Sequence, residues 1–157
     1  MSTVEIRAAR TADLPAIVAF NAGIARETED LELDPQRLSD GVRAILEDAS
    51  KGRYFVAEIA GEVVGQAMVT TEWSDWRNGD FWWFQSVYVQ PDARARGVFK
   101  ALYRHIEKEA RRCDEVCGLR LYVDAHNARA IEVYTRLGMT TSNYRVMESD
   151  YRLNREE

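Results

Sequence analysis

A strand, a long helix and a second strand follow one another between Phe81 and Asp124. Phe81–Val89 is rich in aromatic and β-branched residues, and Leu119–Asp124 alternates apolar with polar residues, the period of a half-buried strand. One continuous helical face lies between them, formed by Phe99, Leu102, Tyr103, Ile106, Ala110 and Cys113. Strands joined by a helix pair in parallel through a right-handed crossover. The unit predicts an α/β fold with one parallel strand pair and a core position for the Cys113 thiol.

Hairpins supply the antiparallel strands. Tyr54–Ala60 and Val63–Trp73 flank the turn at Gly61-Glu62, and a second turn at Asn78-Gly79 precedes Phe81–Val89. Both residues of the second turn tolerate positive φ, which favours a tight connection. The remaining predicted elements are a strand at Val4–Ala9, a helix from Leu14, a helix at Pro35–Ala49, a helix at Asn127–Leu137 that stops at Gly138, and a strand at Thr141–Glu148. We expect a mixed, mostly antiparallel sheet flanked by helices, in the order β-α-α-β-β-β-α-β-α-β.

Composition excludes several classes of protein. A length of 157 residues fits a single domain spanning residues 1–157, and a net charge of −5 disfavours a nucleic-acid partner. Two cysteines cannot form a disulfide framework and indicate a reducing compartment. Cys113, Cys117, His105 and His126 lack the spacing of a zinc site, so no metal is expected. No apolar run approaches the roughly 18 residues that span a bilayer, and we expect a soluble cytoplasmic protein without a membrane partner.

The segment Val87–Lys100 reads VYVQPDARARGVFK and joins a strand to a helix. Pro91 ends the strand, and a loop of small residues with Gly97 leads into the helix. The first N–H groups of a helix have no intrahelical partner, and the helix dipole adds partial positive charge there, which favours phosphate. Full positive charges stand beside this position at Arg94, Arg96 and Lys100. The alternative is a plain strand-to-helix turn with solvated arginines.

A second segment follows the next strand and reads NARAIEVYTRLGM from Asn127 to Met139. Asn127 and Tyr134 are seven residues apart, so a helix places them on one face and roughly 10 Å apart. Ala130 leaves that face open between them. An amide and a phenol so spaced could hold a long thin ligand at both ends. The alternative is an N-capping Asn127 with a core Tyr134.

Together these segments resemble the GNAT superfamily of acetyl-CoA-dependent N-acyltransferases. Arg94-x-x-Gly97-x-Phe99, behind Val87-x-Val89-x-Pro91, is similar to the pyrophosphate loop of that family. Asn127-x-x-Ala130-x-x-x-Tyr134-x-x-x-Gly138 is similar to its second cofactor motif. The order of elements also matches, so the resemblance covers nearly the whole chain.

The resemblance implies a role for each matched residue, with acetyl-CoA as the acyl donor and no metal. Backbone groups of Val87, Tyr88 and Val89 would pair with the pantetheine amides, and a backbone N–H of this strand would stabilise the oxyanion. Asn127 and Ala130 would contact the pantetheine arm, and the Tyr134 hydroxyl would protonate the leaving thiolate. The pyrophosphate would be held by the loop and helix start, at Arg94, Ala95, Arg96, Gly97, Val98, Phe99 and Lys100.

Two positions depart from the family pattern. Phe99 replaces a small residue of the loop, which is tolerated if its ring turns into the core. Gln85 stands where many relatives carry a carboxylate that deprotonates the amine, and an amide cannot act as a base. Candidate bases elsewhere are Glu27, Glu29, Glu72 and Asp75, and none is assigned.

The acceptor side is expected to be aromatic and acidic. All four tryptophans, Trp73, Trp76, Trp82 and Trp83, lie around the Asn78-Gly79 turn. Adjacent Trp82 and Trp83 point to opposite faces of their strand. Trp73, Trp82, Gln85, Glu27 and Glu29 are the predicted substrate contacts, because tryptophan faces and carboxylates attract a cation. The alternatives are cross-strand packing with a subunit contact, giving a homodimer, and a solvated acidic turn.

The sequence therefore predicts an N-acetyltransferase acting on a small cationic primary amine by direct attack in a ternary complex. A protein or peptide amine is an alternative acceptor. A non-catalytic acyl-CoA-binding regulatory module is the alternative from another class, and Gln85 is the residue that favours it.

Overall fold

The computed structural model describes residues 3–153, which form two compact units dividing between Tyr122 and Val123. The first unit contains β1 (Val4–Ala8), α1 (Leu14–Glu29), α2 (Pro35–Glu47), β2 (Arg53–Ile59), β3 (Glu62–Ser74), β4 (Gly79–Val89), α3 (Val98–Arg112) and β5 (Val116–Leu121). The second unit contains α4 (Ala128–Arg136). The assignment of the chain to a single domain stays a prediction.

The first unit is built on a five-stranded sheet in the order β1-β2-β3-β4-β5. The first four strands pair antiparallel in sequence order, and β4 pairs with β5 in parallel across α3. The predicted α/β class and parallel pair are therefore confirmed. The parallel pairing covers only Asp80–Phe84 of β4, so the last five residues of that strand lie beyond the reach of β5.

Helices cover both faces of this sheet. On one face Ile17 of α1 and Val42 of α2 pack in one buried cluster with Tyr54, Val56 and Met68. On the other face α3 stacks Tyr103 on Phe84 at 5.3 Å between ring centroids, and Leu102 and Ile106 are fully buried. Alternate residues of each strand face opposite layers, which is why even a short strand contributes to both cores.

Local chemistry accounts for two differences from the predicted boundaries of β4 and β5. The turn before β4 spans residues 75–78, and Asn78 takes a φ of +48° while Gly79 already lies in the strand. Gly79 is needed there because a Cβ would lie 3.0 Å from the Glu115 carbonyl. The strand β5 begins at Val116 rather than Leu119 and includes Gly118. Glycine fits there because the Phe81 ring occupies the space that a Cβ would take.

Two sequence-based expectations are wrong. Thr141–Glu148 is not a strand: the described residues from 140 onward form no helix or ladder, and Tyr144 and Val146 are exposed. An extended segment that buries no large side chain and pairs with no strand has nothing to stabilise it as a strand. Cys113 is half-buried at the end of α3, one residue past the helix, so it is not a core thiol. No described helix is both long enough and apolar enough to cross a bilayer.

A buried ion pair connects β1 to the start of α1. Arg7 donates from Nη1 and Nη2 to the two carboxylate oxygens of Asp13 at 2.7 and 2.9 Å, and from Nε to Glu58 at 2.7 Å. The Arg10 backbone N–H also donates to Asp13. Asp13 is 7% exposed, and the hydrogen bond from Arg7 lowers the pKa of its carboxyl below the usual value.

We expect Asp13→Asn to lower the free energy of unfolding by about 2 kcal/mol at pH 7, because Arg7 loses one of its two charged partners in a largely buried setting. The folded-state pKa of Asp13 is lowered, so its contribution is present above the unfolded-state value of about 4 and is lost as pH falls below it. Urea denaturation at pH 7 and pH 3 tests this. The exposed control Asp40→Asn should change stability by less than about 0.5 kcal/mol. A wild-type to D13N difference that is equal at both pH values would contradict the account.

Candidate active site

The segment from β4 to α3 forms an open helix N-terminus. After a short 3₁₀ turn at Pro91–Ala93, Ala95 and Gly97 take φ values of +63° and +78°, and α3 begins at Val98. A Cβ added at Gly97 would meet no described atom within 4 Å. Gly97 is also exposed, so the turn that leads into the first amide groups of α3 is open, and the unpaired amides of a helix start favour an anion.

Packing against β3 fixes the position of this helix start. Val98 is 2% exposed, and its Cγ1 lies so close to Gly65 of β3 that a Cβ there would be 3.1 Å away. Phe99 was expected to turn into the core. It is half-buried, with its ring centroid 6.2 Å from that of Tyr103, and Val98 is the residue that fills the core.

Arg94 is not a free cation for the loop. Its Nη2 donates to Glu27 of α1 at 2.8 Å, its Nε donates to the Val89 carbonyl at 2.8 Å, and its guanidinium lies 5.4 Å from the centroid of the Tyr88 ring. Arg94, then the Tyr88 hydroxyl, lower the pKa of the Glu27 carboxyl. Arg94 thus ties the loop to α1 and offsets the charge of Glu27. Arg94 was predicted to contact the pyrophosphate and Glu27 to contact the substrate, whereas here the two side chains pair with each other.

Arg96 and Lys100 are exposed on either side of Gly97. They are the cations that remain beside the open helix start once Arg94 is engaged with Glu27. Ala95 is exposed as well, and its positive φ contributes to the turn that aims the following amides.

The end of β4 has a backbone edge without a neighbouring strand. Pairing with β5 stops at Phe84, so residues 85–89 face no β5 partner. The Gln90 N–H donates toward β3, to Val64, at 2.8 Å, and backbone groups alternate in direction along a strand. Val89 and Val87 therefore turn their N–H and C=O groups to the open edge, where the Val89 carbonyl accepts from Arg94, while Tyr88 pairs with Gln66 of β3.

A β-bulge interrupts β4 immediately before this edge. The register passes from Gln66 opposite Tyr88 to Met68 opposite Gln85, which leaves Ser86 and Val87 together against one β3 residue. Ser86 takes a φ of +49°, a conformation that serine rarely adopts. Bulges of this kind re-aim the backbone of a strand.

Tyr88 packs its side chain under α1. Its ring lies 5.4 Å from Phe20, and a Cβ at Gly23 would come within 3.0 Å of its hydroxyl. Burial, followed by the neighbouring Glu27 carboxylate, raises the pKa of the Tyr88 phenol. An open depression of about 440 Å³ lies beside it, lined by α1 and the end of β4, and Arg26 is part of that lining.

Gln85, which stands where the family pattern has a carboxylate, is fixed by a hydrogen bond. Gln85 donates from Nε2 to the Thr70 hydroxyl of β3 at 2.7 Å. Among the candidate bases, Glu72 forms an ion pair with Arg120, and Asp75 is exposed in the turn between β3 and β4. Glu29 is exposed near the end of α1. We assign none of them as the base.

Trp82 does not lie on the acceptor side. It is 7% exposed and shares with Phe84 the face covered by α3, and the Arg53 guanidinium lies 4.5 Å from its ring centroid. Its substrate contact is therefore withdrawn. Trp83 points to the opposite face, as expected for adjacent residues of a strand, and its ring lies 4.6 Å from that of Tyr122.

The Trp83–Tyr122 pair is a candidate acceptor surface that the sequence did not predict, because Tyr122 lies on the polar face of the predicted strand. Trp83 and Gln85 are two residues apart and share one face of β4, so they are adjacent there. Trp73, a predicted contact, is 60% exposed near the end of β3.

The second unit presents Asn127 and Tyr134 on one helix. Asn127 caps α4, its Oδ1 accepting from the Ala130 N–H at 3.1 Å, which is the capping role weighed as its alternative. Gly138 takes a φ of +104° and the helix closes with Met139 N–H to Tyr134 carbonyl at 3.1 Å, a Schellman ending. Tyr134 is half-buried, and burial raises the pKa of its phenol above 10.0.

The family model for the acetyltransferase (GNAT) family matches residues 20–139, a range that includes both motifs. The chain belongs to the GNAT acetyltransferase family. GNAT membership assigns acetyl transfer in general to this chain, and the family typically uses acetyl-CoA as donor. Among residues 3–153 no group of three or more His, Cys, Asp or Glu side chains could hold a metal ion.

Solved structures agree with this assignment. A possible acetyltransferase from Clostridium difficile 630 is 43% identical, with a TM-score of 0.87 over 96% of this chain and 99% of that one. The aminoglycoside N-acetyltransferase AAC(6′)-Iy in complex with CoA is 16% identical, with a TM-score of 0.73 over 97% of each chain. The ribosomal-protein-alanine N-acetyltransferase from Brucella melitensis biovar Abortus 2308 is 15% identical, with a TM-score of 0.74 over 95% of this chain and 100% of that one. The last two share the GNAT fold only.

Proposed function

We propose that this GNAT chain is an N-acetyltransferase that uses acetyl-CoA to acetylate a primary amine, with a small cationic molecule as the acceptor. The observation that carries the proposal is the open start of α3 at Gly97 directly after a β4 edge that has no β5 partner. A helix N-terminus binds phosphate, and an open strand edge binds an extended chain of amides. Acetyl-CoA offers both groups in that order.

The residues of the first unit divide this binding between them. Backbone N–H groups from Gly97 to Lys100 would hold the pyrophosphate, with Arg96 and Lys100 adding charge. The Val87 C=O and the Val89 N–H would pair with the pantetheine amides along the open edge. Arg94 acts by holding the loop to Glu27. From the second unit, Asn127, Ala130 and Tyr134 would complete the cofactor contacts, a part of the proposal supported by the motif they match.

Acetyl-CoA supplies the thioester whose acetyl group is transferred, by direct attack of the amine in a ternary complex. A backbone N–H of the open edge donates to the carbonyl oxygen as it gains charge, and one such donor is worth about 10²–10³-fold in rate. The Tyr134 phenol gives its proton to the departing thiolate, and the attacking nitrogen loses a proton to water, from which the phenol is reprotonated. A raised pKa suits this role, because the phenol stays protonated at neutral pH until it is needed.

The preference for a cation is supported by the acceptor side. Trp73 is exposed, and the Trp83 ring lies on the face that also carries Gln85. Tryptophan faces attract cations by about 0.5–2 kcal/mol. Part of the predicted acidic charge is offset, since Glu27 pairs with Arg94 and Glu72 with Arg120. Aromatic contact therefore contributes more to the proposed preference than carboxylates do.

Gln85 favours one competing function, a non-catalytic acyl-CoA-binding regulatory module. Its amide is fixed on Thr70 where a base would be useful. A peptide or protein amine is the other acceptor that the fold accommodates. A homodimer and a cytoplasmic location belong to the proposal too, the first supported by Trp76, which is 85% exposed beside Trp73.

Thiol release from acetyl-CoA tests the function. Purified protein is assayed with small polyamines and other cationic amines, neutral amino acids, anionic amines and short peptides at matched concentration. We expect turnover with the cationic amines to exceed that with anionic ones at least about tenfold, as one or two kcal/mol of cation–aromatic contact implies. Tight acetyl-CoA binding by calorimetry without turnover on any acceptor would favour the regulatory module, and a preference for anionic amines would overturn the assignment of the acceptor.

A further inference from the structure

Gln66 of β3 is a polar residue in the core. Its side chain is fully buried, and its Nε2 donates to the backbone carbonyl of Ser86 at 3.0 Å. No described residue donates to its Oε1, although that atom is also buried. The amide cannot be reversed, because Oε1 would then face the Ser86 carbonyl, acceptor against acceptor. A buried acceptor without a donor destabilises a fold, so an apolar residue would suit packing better here.

The hydrogen bond to Ser86 falls on the bulge of β4. Ser86 and Val87 together oppose one residue of β3, and Ser86 has a φ of +49°. In a regular ladder the Ser86 carbonyl would pair with a backbone N–H. At the bulge it bonds to a side chain instead, that of Gln66. Gln66 thus offsets part of the strain of a conformation that serine disfavours.

The same bond sets the direction of the next N–H. The described peptide bonds are all trans, and a planar trans peptide points its C=O and its N–H in opposite directions. Gln66 lies two residues from Met68, whose side chain belongs to the core cluster under α1 and α2. A Ser86 carbonyl held toward that core turns the Val87 N–H away from it, in the stretch of β4 that has no β5 partner.

We infer that Gln66 is a positioning residue, which holds the Ser86 carbonyl in the core so that the Val87 N–H is aimed at the acetyl carbonyl oxygen. The inference rests on the proposed acetyl transfer. Gln66 itself touches neither donor nor acceptor. A glutamine that donates to Ser86 also brings its amide oxygen into the core, where that oxygen has no donor. The need for the donor explains why glutamine, and not an apolar residue, occupies this position.

The test replaces Gln66 by methionine, which keeps the length of the side chain and removes the donor. We expect kcat to fall about 10–100-fold, since one oxyanion donor is worth about 10²–10³-fold and is misaimed rather than deleted. KM for acetyl-CoA and the Kd for CoA should stay within about threefold, because the diphosphate contacts lie elsewhere. Tm should change by no more than a few degrees, because removal of a buried unpaired oxygen offsets loss of the hydrogen bond to the Ser86 carbonyl.

Val64→Ala is the control for lost packing in the same strand, β3. Val64 is 8% exposed, so the truncation should lower Tm by several degrees while kcat per folded molecule stays within about twofold. The two variants should therefore show opposite patterns. Equal kcat for wild type and Q66M, or a Q66M defect that follows Tm alone, would overturn the inference.

A spectroscopic readout is independent of turnover. With no amine present, the amide proton resonance of Val87 should move downfield in acetyl-CoA relative to CoA, because only the thioester has the acetyl carbonyl. In Q66M this difference should be lost. If Q66M and a second variant, Gln66→Leu, both fail to fold, the wild-type spectrum decides, and a Val87 resonance equal in both ligands overturns the inference. Failure of the proposed function is distinguishable, since wild type would then not bind or not turn over acetyl-CoA.

Discussion

Replacement of Gly97 by glutamate is expected to weaken CoA binding by about 100–1000-fold, to the limit of calorimetric detection. The Gly97 backbone has a φ of +78°, which strains any side chain with a Cβ, and the open space in front of it would receive a carboxylate. A negative charge beside a bound diphosphate costs several kcal/mol, which accounts for the expected loss. Isothermal titration with CoA gives the measurement.

Gly61→Glu is the control for this variant. Gly61 lies in the turn between β2 and β3, has a φ of +81°, and likewise meets no described atom within 4 Å of an added Cβ. The substitution therefore introduces the same strain and the same charge away from α3, and CoA affinity should stay within about twofold, as a surface change predicts. Full affinity in G97E would show that the amides at the start of α3 do not hold the diphosphate.

Removal of the Tyr134 hydroxyl, by Tyr134→Phe, is expected to lower kcat about 10²–10³-fold while the Kd for CoA changes less than threefold. A positioned general acid contributes about 10²–10⁴-fold, and phenylalanine keeps the ring that the fold packs. Thiol release under saturating amine measures the effect. Tyr144→Phe, at an exposed position of the same unit, is the matched control and should leave kcat unchanged.

The pH dependence of kcat provides a second measure of Tyr134. Burial raises the pKa of its phenol above 10.0, so the acid form persists through neutral pH and is lost only at higher pH. Wild-type kcat should therefore show no decline attributable to the phenol around neutral pH, and any such decline should come only at alkaline pH. Equal kcat in wild type and Y134F at every pH would remove Tyr134 from the mechanism.

The sequence predicted those parts of the fold that depend on neighbouring residues. The helix face of α3, the hairpin at Gly61 and the cap at Asn127 each follow from spacing or turn chemistry within a few residues, and each is present. The crossover rule supplied the parallel pairing of β4 with β5, since chain handedness leaves one arrangement. Gly97 could be chosen as the helix start for the same local reason.

Contacts between distant segments could not be predicted in this way. Arg94 and Glu27 are 67 positions apart, and their ion pair depends on how α1 lies over β4. The adjacent pair Trp82 and Trp83 predicted opposite faces correctly, yet nothing local decides which face α3 covers. The same limit applies to Gln66, whose role depends on a bulge in another strand.

Thr141–Glu148 illustrates the opposite error. A strand is predicted there, but a strand exists only with a partner to complete its ladder. The sequence of one segment cannot specify that partner. Its exposed Tyr144 and Val146 follow directly from the missing ladder.

A crystal structure of this protein with CoA tests the central claim most directly. We expect the diphosphate oxygens within about 3 Å of the backbone N–H groups that open α3, the ordinary length of such a hydrogen bond. The pantetheine amides should pair with the Val87 C=O and the Val89 N–H, and the sulfur should lie within reach of the Tyr134 hydroxyl. A diphosphate bound away from the Gly97 turn, or a Tyr134 hydroxyl remote from the sulfur, would contradict the account.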